Sequence, residues 1–326
     1  MKAKGLFVVD YMKLDVREYE VPEVKANQCL IKTMATGLCC WDSWLYRGVN
    51  APGPYPYIIG HEGAGIVEAV GSEVTAFKPG DKVASISGGV MGEYDVLDAS
   101  ALVKLPDDLE DWEQAIYEPT ACVTNLLAKS HIEMGDHVVL VGAGYMGTLC
   151  LQGLCRASQA GKITVFELRE DRRKLAMEYK GVDEVLDPES EEGKRVIKEI
   201  QDNGGADVVI DFGASLSGFE LADSLTKQGG KLIIGTFHRT DVTFNGTKWH
   251  LGGLQVYNLP PQSNPKHFKE WSPAVGTLIK RGVFEPGKLM SHTAYYEDLE
   301  AVTDMFQKSI DKTDNYMKGA ILFYKK

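Results

Sequence analysis

The chain has 326 residues, 44% hydrophobic and 25% charged, enough for two domains and typical of a soluble globular protein. Its 35 basic and 46 acidic residues leave a net charge of −11, which argues against nucleic acid and anionic membranes as partners. No apolar run is long enough to span a bilayer, and the start, Met1-Lys2-Ala3-Lys4-Gly5-Leu6-Phe7, lacks the apolar core and cleavage site of a signal peptide. A cytoplasmic protein is therefore expected.

Residues 1–125 are rich in Gly, Pro and short alternating segments. Leu30–Met34 and Gly65–Val70 read as strands, and Pro79-Gly80-Asp81 as a turn into a strand at Lys82–Ile86. This stretch is β-rich and has no β-α-β alternation. From 126 onward strand-like and helix-like runs alternate. His137–Val141 is a strand, 145–158 a helix, Ile163–Glu167 a strand and 170–180 a charged helix. Strands at Asp207–Asp211, Lys231–Gly235 and Leu254–Tyr257 follow, with helical sequence between them. That rhythm predicts a doubly wound parallel sheet. Beyond it the pattern predicts a helix over 267–281, a short strand near 293–296, a helix over 297–308 and a last strand at Gly319–Phe323. The expectation is an α/β protein. A Rossmann-type domain over 126–265 is paired with a β-rich domain made from 1–125 and 266–326.

Cys29 lies in a strand, and Cys122, Cys150 and Cys155 lie in helix-like apolar stretches. A chain of this length does not need disulfides, so these read as small buried hydrophobes. Cys39 and Cys40 stand apart from them.

Gly142, Gly144 and Gly147 form G-x-G-x-x-G, with Tyr145 and Met146 between the last two, on a strand-to-helix turn. One glycine makes the tight turn, one lets the backbone approach a pyrophosphate, and one allows close helix–strand packing. The helix N-terminus offers N–H groups and a positive dipole end to the phosphates. Glu167 ends the next strand, 20 residues after Gly147. A carboxylate there accepts from both ribose hydroxyls and repels a 2′-phosphate, which favours NAD(H) over NADP(H). Arg169 pulls the other way, because a nearby Arg accommodates that phosphate.

Cys39 follows a strand, and His61-Glu62 lies 22 residues further on, after a turn. A thiolate and an imidazole suit zinc, and one carboxylate completes three protein ligands with a fourth position open. Glu118, whose local backbone Pro119 fixes, and Glu62 both qualify for that place.

The run Gly37-Leu38-Cys39-x-x-Asp42, then Gly60-His61-Glu62-x-x-Gly65-x-Val67-x-x-Val70-Gly71, then Pro79-Gly80-Asp81-x-Val83, with the glycine loop following, resembles the zinc-dependent medium-chain alcohol and polyol dehydrogenases. The resemblance covers essentially the whole chain. It implies a GroES-like catalytic domain beside the Rossmann domain, with Cys39 and His61 as zinc ligands. The Glu-Pro at 118–119 is similar to the sorbitol and threonine dehydrogenase branch, where Glu takes the third ligand position. Glu62 is then a nearby ligand that exchanges with water. The implied activity is hydride transfer between NAD(H) and a secondary alcohol or ketone, with zinc as Lewis acid. The resemblance also implies a homodimer or homotetramer, joined along the sheet edge at Gly252–Leu259.

Two departures matter. Many relatives carry a four-cysteine structural zinc lobe after the segment matching 79–85, whereas Ser85–Gly92 has no cysteine, so one catalytic zinc and no structural zinc is expected. Family members also place a hydroxyl and an imidazole where this chain has Trp41 and Trp44. Those groups shuttle the alcohol proton, so Ser43, Glu62 or a water chain must replace them. Trp41, two residues from a ligand, is expected to wall the substrate pocket, with a face suited to a sugar or cyclitol ring. Trp44 is expected in the core. A zinc-free quinone- or enoyl-type reductase on the same scaffold lacks Cys39, His61 and Glu118, which separates it from this reading. A non-redox enzyme with tightly bound NAD would reveal itself by cofactor surviving purification.

Overall fold

The structure is a computed structural model that describes residues 1–238, 241–258 and 274–325. The chain divides into two compact units. The first comprises Met1–Ala121, 274–280 and Glu285–Lys325; the second comprises 122–258 and Arg281–Phe284.

The first unit begins with β1 (Lys2–Asp10) and β2 (Lys13–Glu20), an antiparallel hairpin that takes β4 (Tyr57–Ile58) on its other side. Its larger sheet runs β15 (His292–Tyr295), β16 (Gly319–Leu322), β3 (Gln28–Leu38), β5 (Gly63–Val70), β6 (Lys82–Ser85) and β8 (Leu102–Lys104). β7 (Tyr94–Asp98) pairs with β3 off this path. The short helix α1 (Cys40–Tyr46) leaves β3 directly. Near the C-terminus α9 (Leu299–Asp311) buries Val302, Met305 and Phe306, and the ring of Tyr46 of α1 meets that of Phe306 at a tilt of 55°, centroids 4.9 Å apart. The period of those buried positions is that of an amphipathic helix, and Asp298 caps it by accepting from the Ala301 N–H.

The second unit is a six-stranded, all-parallel sheet in the order β11 (Glu184–Leu186), β10 (Lys162–Phe166), β9 (His137–Val141), β12 (Ala206–Asp211), β13 (Thr226–Ile234), β14 (Gln255–Asn258). The central strands are almost wholly buried, which is why they read as continuous Val/Ile/Leu runs and not as alternating patterns. The helices α3 (Tyr145–Ala157), α4 (Glu170–Met177), α5 (Glu191–Asp202) and α6 (Leu216–Leu225) alternate with the strands. α5 shows how local sequence fixes a helix. Ser190 accepts from the Gly193 N–H at its start, and Val196 and Ile200 pack inward among charged neighbours. α7 (Gly246–Gly252) ends on Gly253, with φ +59. The strand order reverses between β9 and β12, the switch point at which open parallel sheets bind ligands.

The division between the units falls inside α2 (Glu118–Lys129), four residues before the boundary expected at 125. Residues 274–280 form the helix α8. The remainder of the helix expected over 267–281, like Leu259 of the sheet edge, lies outside the described residues. Cys29, Cys122 and Cys150 are buried, while Cys155 is half-buried.

Candidate functional site

β3 ends at Leu38, and Cys39 sits at the head of α1 with extended backbone, φ −85 and ψ 158. His61 and Glu62 directly precede β5, which is antiparallel to β3, so the ladder brings the two segments together. One donor atom each from Cys39, His61 and Glu62 lies within 4.8 Å of the others. Asp42, fully buried on α1, organises this group. Its carboxylate accepts from the Cys39 N–H at 2.9 Å and the Gly60 N–H at 3.1 Å. It also lies 3.4 Å from His61 Nδ1. A carboxylate on one ring nitrogen fixes the imidazole and directs the other toward a metal, and His61 Nε2 is the nitrogen nearer Glu62, at 3.8 Å.

The electrostatics are those of a donor set. A hydrogen bond from Cys40, sulfur to sulfur 4.0 Å, holds the Cys39 thiol well below its ordinary range, with burial opposing and His61 assisting. The same contact pushes the Cys40 thiol up. Burial works against the charged form of His61, yet Asp42 and Cys39 raise it well above the usual imidazole range. Burial pushes the Glu62 carboxyl up to about 8, with Lys318 pulling it down and Cys39 and Glu118 adding to the rise. Thiolate, imidazole and carboxylate at this separation fit zinc.

Sequence reasoning missed Lys318. It immediately precedes β16, is 5% exposed, and its Nζ lies 2.7 Å from Glu62 Oε1 and 2.6 Å from Oε2. Room for the pair exists because residue 37 is glycine: a Cβ there would stand 2.1 Å from Glu62 Oε2. No local signal marks this lysine, since its partner is 256 residues away.

The other expected residues are distributed as follows. Glu118 heads α2 and is buried; it is outside the three-donor group, and its charge raises the Glu62 carboxyl. The Ser43 hydroxyl is buried and paired with Ser309 of α9 at 2.6 Å, away from that group. Trp41 is half-buried, packs against the apolar cluster containing Leu45 and Phe306, and meets Trp44 edge-on at 5.8 Å.

In the second unit the glycine loop joins β9 to α3. Gly142 has φ +91, and a Cβ there would meet the Phe212 carbonyl at 2.5 Å. A Cβ on Gly147 would meet the Gly142 carbonyl oxygen at 2.1 Å. Both positions admit only glycine. Gly144 precedes α3, Tyr145 is its buried first residue and Met146 is half-buried. Glu167, at the end of β10, accepts from the Ala143 N–H at 2.6 Å and the Arg169 N–H at 2.9 Å. The carboxylate is thereby held against the loop. The Arg169 guanidinium is engaged by Asp171, with contacts of 3.1 and 3.0 Å.

Known proteins resemble this chain in sequence and fold. The sequence matches the alcohol dehydrogenase GroES-like domain over residues 25–107 and the zinc-binding dehydrogenase domain over 135–276. It is 29% identical to the sorbitol dehydrogenase of Halalkalibacterium halodurans over 300 residues, 82% of this chain and 85% of that protein. It is 25% identical to an L-threonine 3-dehydrogenase of Shewanella over 98% of this chain and 96% of that one. The 2R,3R-butanediol dehydrogenase of Bacillus subtilis shares the fold, with TM-score 0.81, 23% identity, and coverage of 99% and 100% of the two chains. The chain belongs to the zinc-dependent medium-chain alcohol/polyol dehydrogenase family. It is an enzyme, an oxidoreductase for NAD-linked conversion of alcohols.

Proposed function

We propose that the substrate is a secondary alcohol of the polyol, cyclitol or sugar class, oxidised at a single zinc held by Cys39, His61 and Glu62, with NAD(H) preferred over NADP(H). The convergence of those three donors within 4.8 Å carries the reading. The names of the polyol-oxidising relatives support the substrate class, as does the indole of Trp41, two residues from Cys39.

Each residue then has a defined task. Cys39 supplies a thiolate that its neighbours already favour, and His61 a nitrogen aimed by Asp42. Lys318 donates to Oε1 of Glu62, with its charge also against Oε2, and so sets how far that carboxylate leans into the group. Glu118 stands behind as a second carboxylate whose charge influences the first. A bound zinc contributes Lewis acidity toward the alcohol oxygen, and a bound nicotinamide accepts the hydride. In the second unit Gly142, Gly144, Tyr145, Met146 and Gly147 provide the pyrophosphate seat. Glu167, already tied to the loop, accepts from the adenosine ribose, while Arg169 is held off by Asp171. Ser43 does not take the alcohol proton in this reading, because Ser309 engages its hydroxyl. The proton passes to solvent.

The reading also includes a homodimer or homotetramer formed along the open edge of β14, no structural zinc, and a cytoplasmic location. Among the described residues no helix is long and apolar enough to cross a membrane.

The deciding experiment combines metal analysis with NADH absorbance over a panel of polyols, cyclitols and sugars. The expected result is one zinc per chain and turnover with at least one polyol. Cys39→Ala should lose both metal and turnover while retaining the circular dichroism of the parent. Two zincs per chain, or full turnover in that variant, would refute the assignment.

A further inference from the structure

In the second unit a pair of titratable side chains lies at the C-terminal ends of the parallel strands. Asp211 is the last residue of β12 and is fully buried. Its Oδ2 lies 2.6 Å from Nε2 of His238, four residues beyond the end of β13, and its Oδ1 accepts from the Gly213 N–H at 2.8 Å. The two loops are already joined without these side chains, because the Gly235 and Thr236 N–H groups both donate to the Asp211 carbonyl at 3.0 Å. A buried carboxylate is costly to place, and a purely structural tie here does not need one.

The carboxylate does fix the imidazole. In the neutral ring, Nε2–H donating to Asp211 leaves Nδ1 as an acceptor, the tautomer being set by the partner of the other nitrogen. Phe219 meets the ring edge-on with centroids 5.5 Å apart and restricts its orientation. The His238 side chain is 12% exposed, and among the described residues its Nδ1 has no partner.

Position gives the pair its meaning. The strand order reverses between β9 and β12, and ligands of such sheets lie outside the C-terminal ends of the strands at that point. On one side the glycine loop follows β9 and Glu167 follows β10, so the pyrophosphate and adenosine ribose occupy that half. The other half of a dinucleotide must extend over the ends of β12 and β13. The Phe212 carbonyl there abuts Gly142, so the Asp211 loop borders the phosphate seat directly.

We propose that His238 is a cofactor-binding residue for the nicotinamide-riboside half of the dinucleotide, accepting from a ribose hydroxyl or the carboxamide, and that Asp211 is its positioning residue. The proposal rests on the glycine loop and Glu167 binding NAD(H).

The test is equilibrium titration of the full chain with NADH and with ADP, which has the adenosine and pyrophosphate but no nicotinamide riboside. His238→Ala should weaken NADH by about tenfold, the loss of one buried hydrogen bond, and leave ADP within about twofold. His238→Gln, which retains a polar side chain, should fall between parent and alanine for NADH only. Asp211→Asn should weaken NADH and not ADP, because it leaves His238 in place but unaimed. ADP-ribose then separates the two contacts: weakening in parallel with NADH assigns the ribose, and no change assigns the nicotinamide ring. Equal weakening of NADH and ADP in the variants, or no weakening of NADH, would overturn the proposal. Parent protein that binds neither ligand would overturn the cofactor reading as well, so the two failures are distinct.

Discussion

Replacing Lys318 by Met removes the charged partner of Glu62 while roughly preserving the aliphatic stem. Both side chains of the pair are almost completely buried, at 5% and 1% exposure. Breaking a buried ion pair by deleting one member costs about 3–5 kcal/mol when the survivor must stay charged. Glu62 can avoid that cost by holding a proton, since burial already pushes its carboxyl up to about 8. In the unfolded chain the same carboxyl ionises near about pH 4.3, so the folded parent binds the extra proton between those limits. Its stability therefore falls as pH rises through that window and levels off once Glu62 ionises against Lys318. The variant has no Lys318 to receive the anion, so its folded carboxyl titrates higher and its stability continues to fall. The difference between the two proteins should be small below about pH 8 and widen by about 1.4 kcal/mol per pH unit above it. The assay is urea unfolding of the metal-free parent and variant at about pH 7, 8 and 9, in a Cys39→Ser/Cys40→Ser background that removes the two thiols Lys318 also influences, taking differences so that titrating groups remote from Lys318 cancel. Glu62→Gln combined with Lys318→Met should recover most of the loss at the highest pH, because no buried carboxylate remains to be neutralised. A pH-independent difference, or a double variant as unstable as Lys318→Met at about pH 9, would refute the reasoning.

Three further outcomes are expected. Gly147→Ala should destabilise the second unit by about 1–3 kcal/mol and abolish NADH binding, because the new Cβ collides with the Gly142 carbonyl; retained binding in fluorescence titration would contradict the close approach. Glu167→Ala should narrow the ratio of kcat/KM for NAD to that for NADP, and it should also weaken both cofactors, because the Ala143 and Arg169 N–H groups lose their acceptor; an unchanged ratio would remove Glu167 as the discriminating group. Trp41→Ser should weaken substrate binding by about 1–3 kcal/mol and shift activity toward small alcohols if the indole walls the pocket. A lower melting temperature with an unaltered substrate profile would instead restrict Trp41 to its packing against the apolar cluster of the first unit.

The parallel sheet was legible because its strands are buried on both faces, so each appears as an uninterrupted apolar run ending in a turn signal. The glycine loop and His61-Glu62 were legible because their chemistry is local: consecutive residues define the turn and the donors. Glu118 shows where this stops. Its Glu-Pro pair resembled the third ligand position and Glu62 a nearby exchanging one, whereas the three donors that lie within 4.8 Å of one another are Cys39, His61 and Glu62, a convergence no local spacing announces. Ser43 and Ser309 form a pair that no spacing rule connects. Lys318 lies in an ordinary polar stretch, and only the register of β16 against β3 buries it. Contacts between distant segments depend on register, and register is decided by the assembled sheet.

The sheet order also has a consequence for how the protein is made. β16 lies between β15 and β3, in the interior of the first unit's larger sheet, and Lys318 immediately precedes it. A ribosome releases Cys39, His61 and Glu62 early, but the strand that pairs with the end of β3 and the ammonium that contacts Glu62 emerge last. The 122–258 unit, contiguous apart from one short return, can fold on the way. Until translation reaches β16, the edge of β3 that it pairs with stays open to other nascent chains. Chain completion is thus the step that closes the first unit's larger sheet, and premature termination between Phe284 and β16 should yield a folded nucleotide-binding half attached to an aggregation-prone remainder.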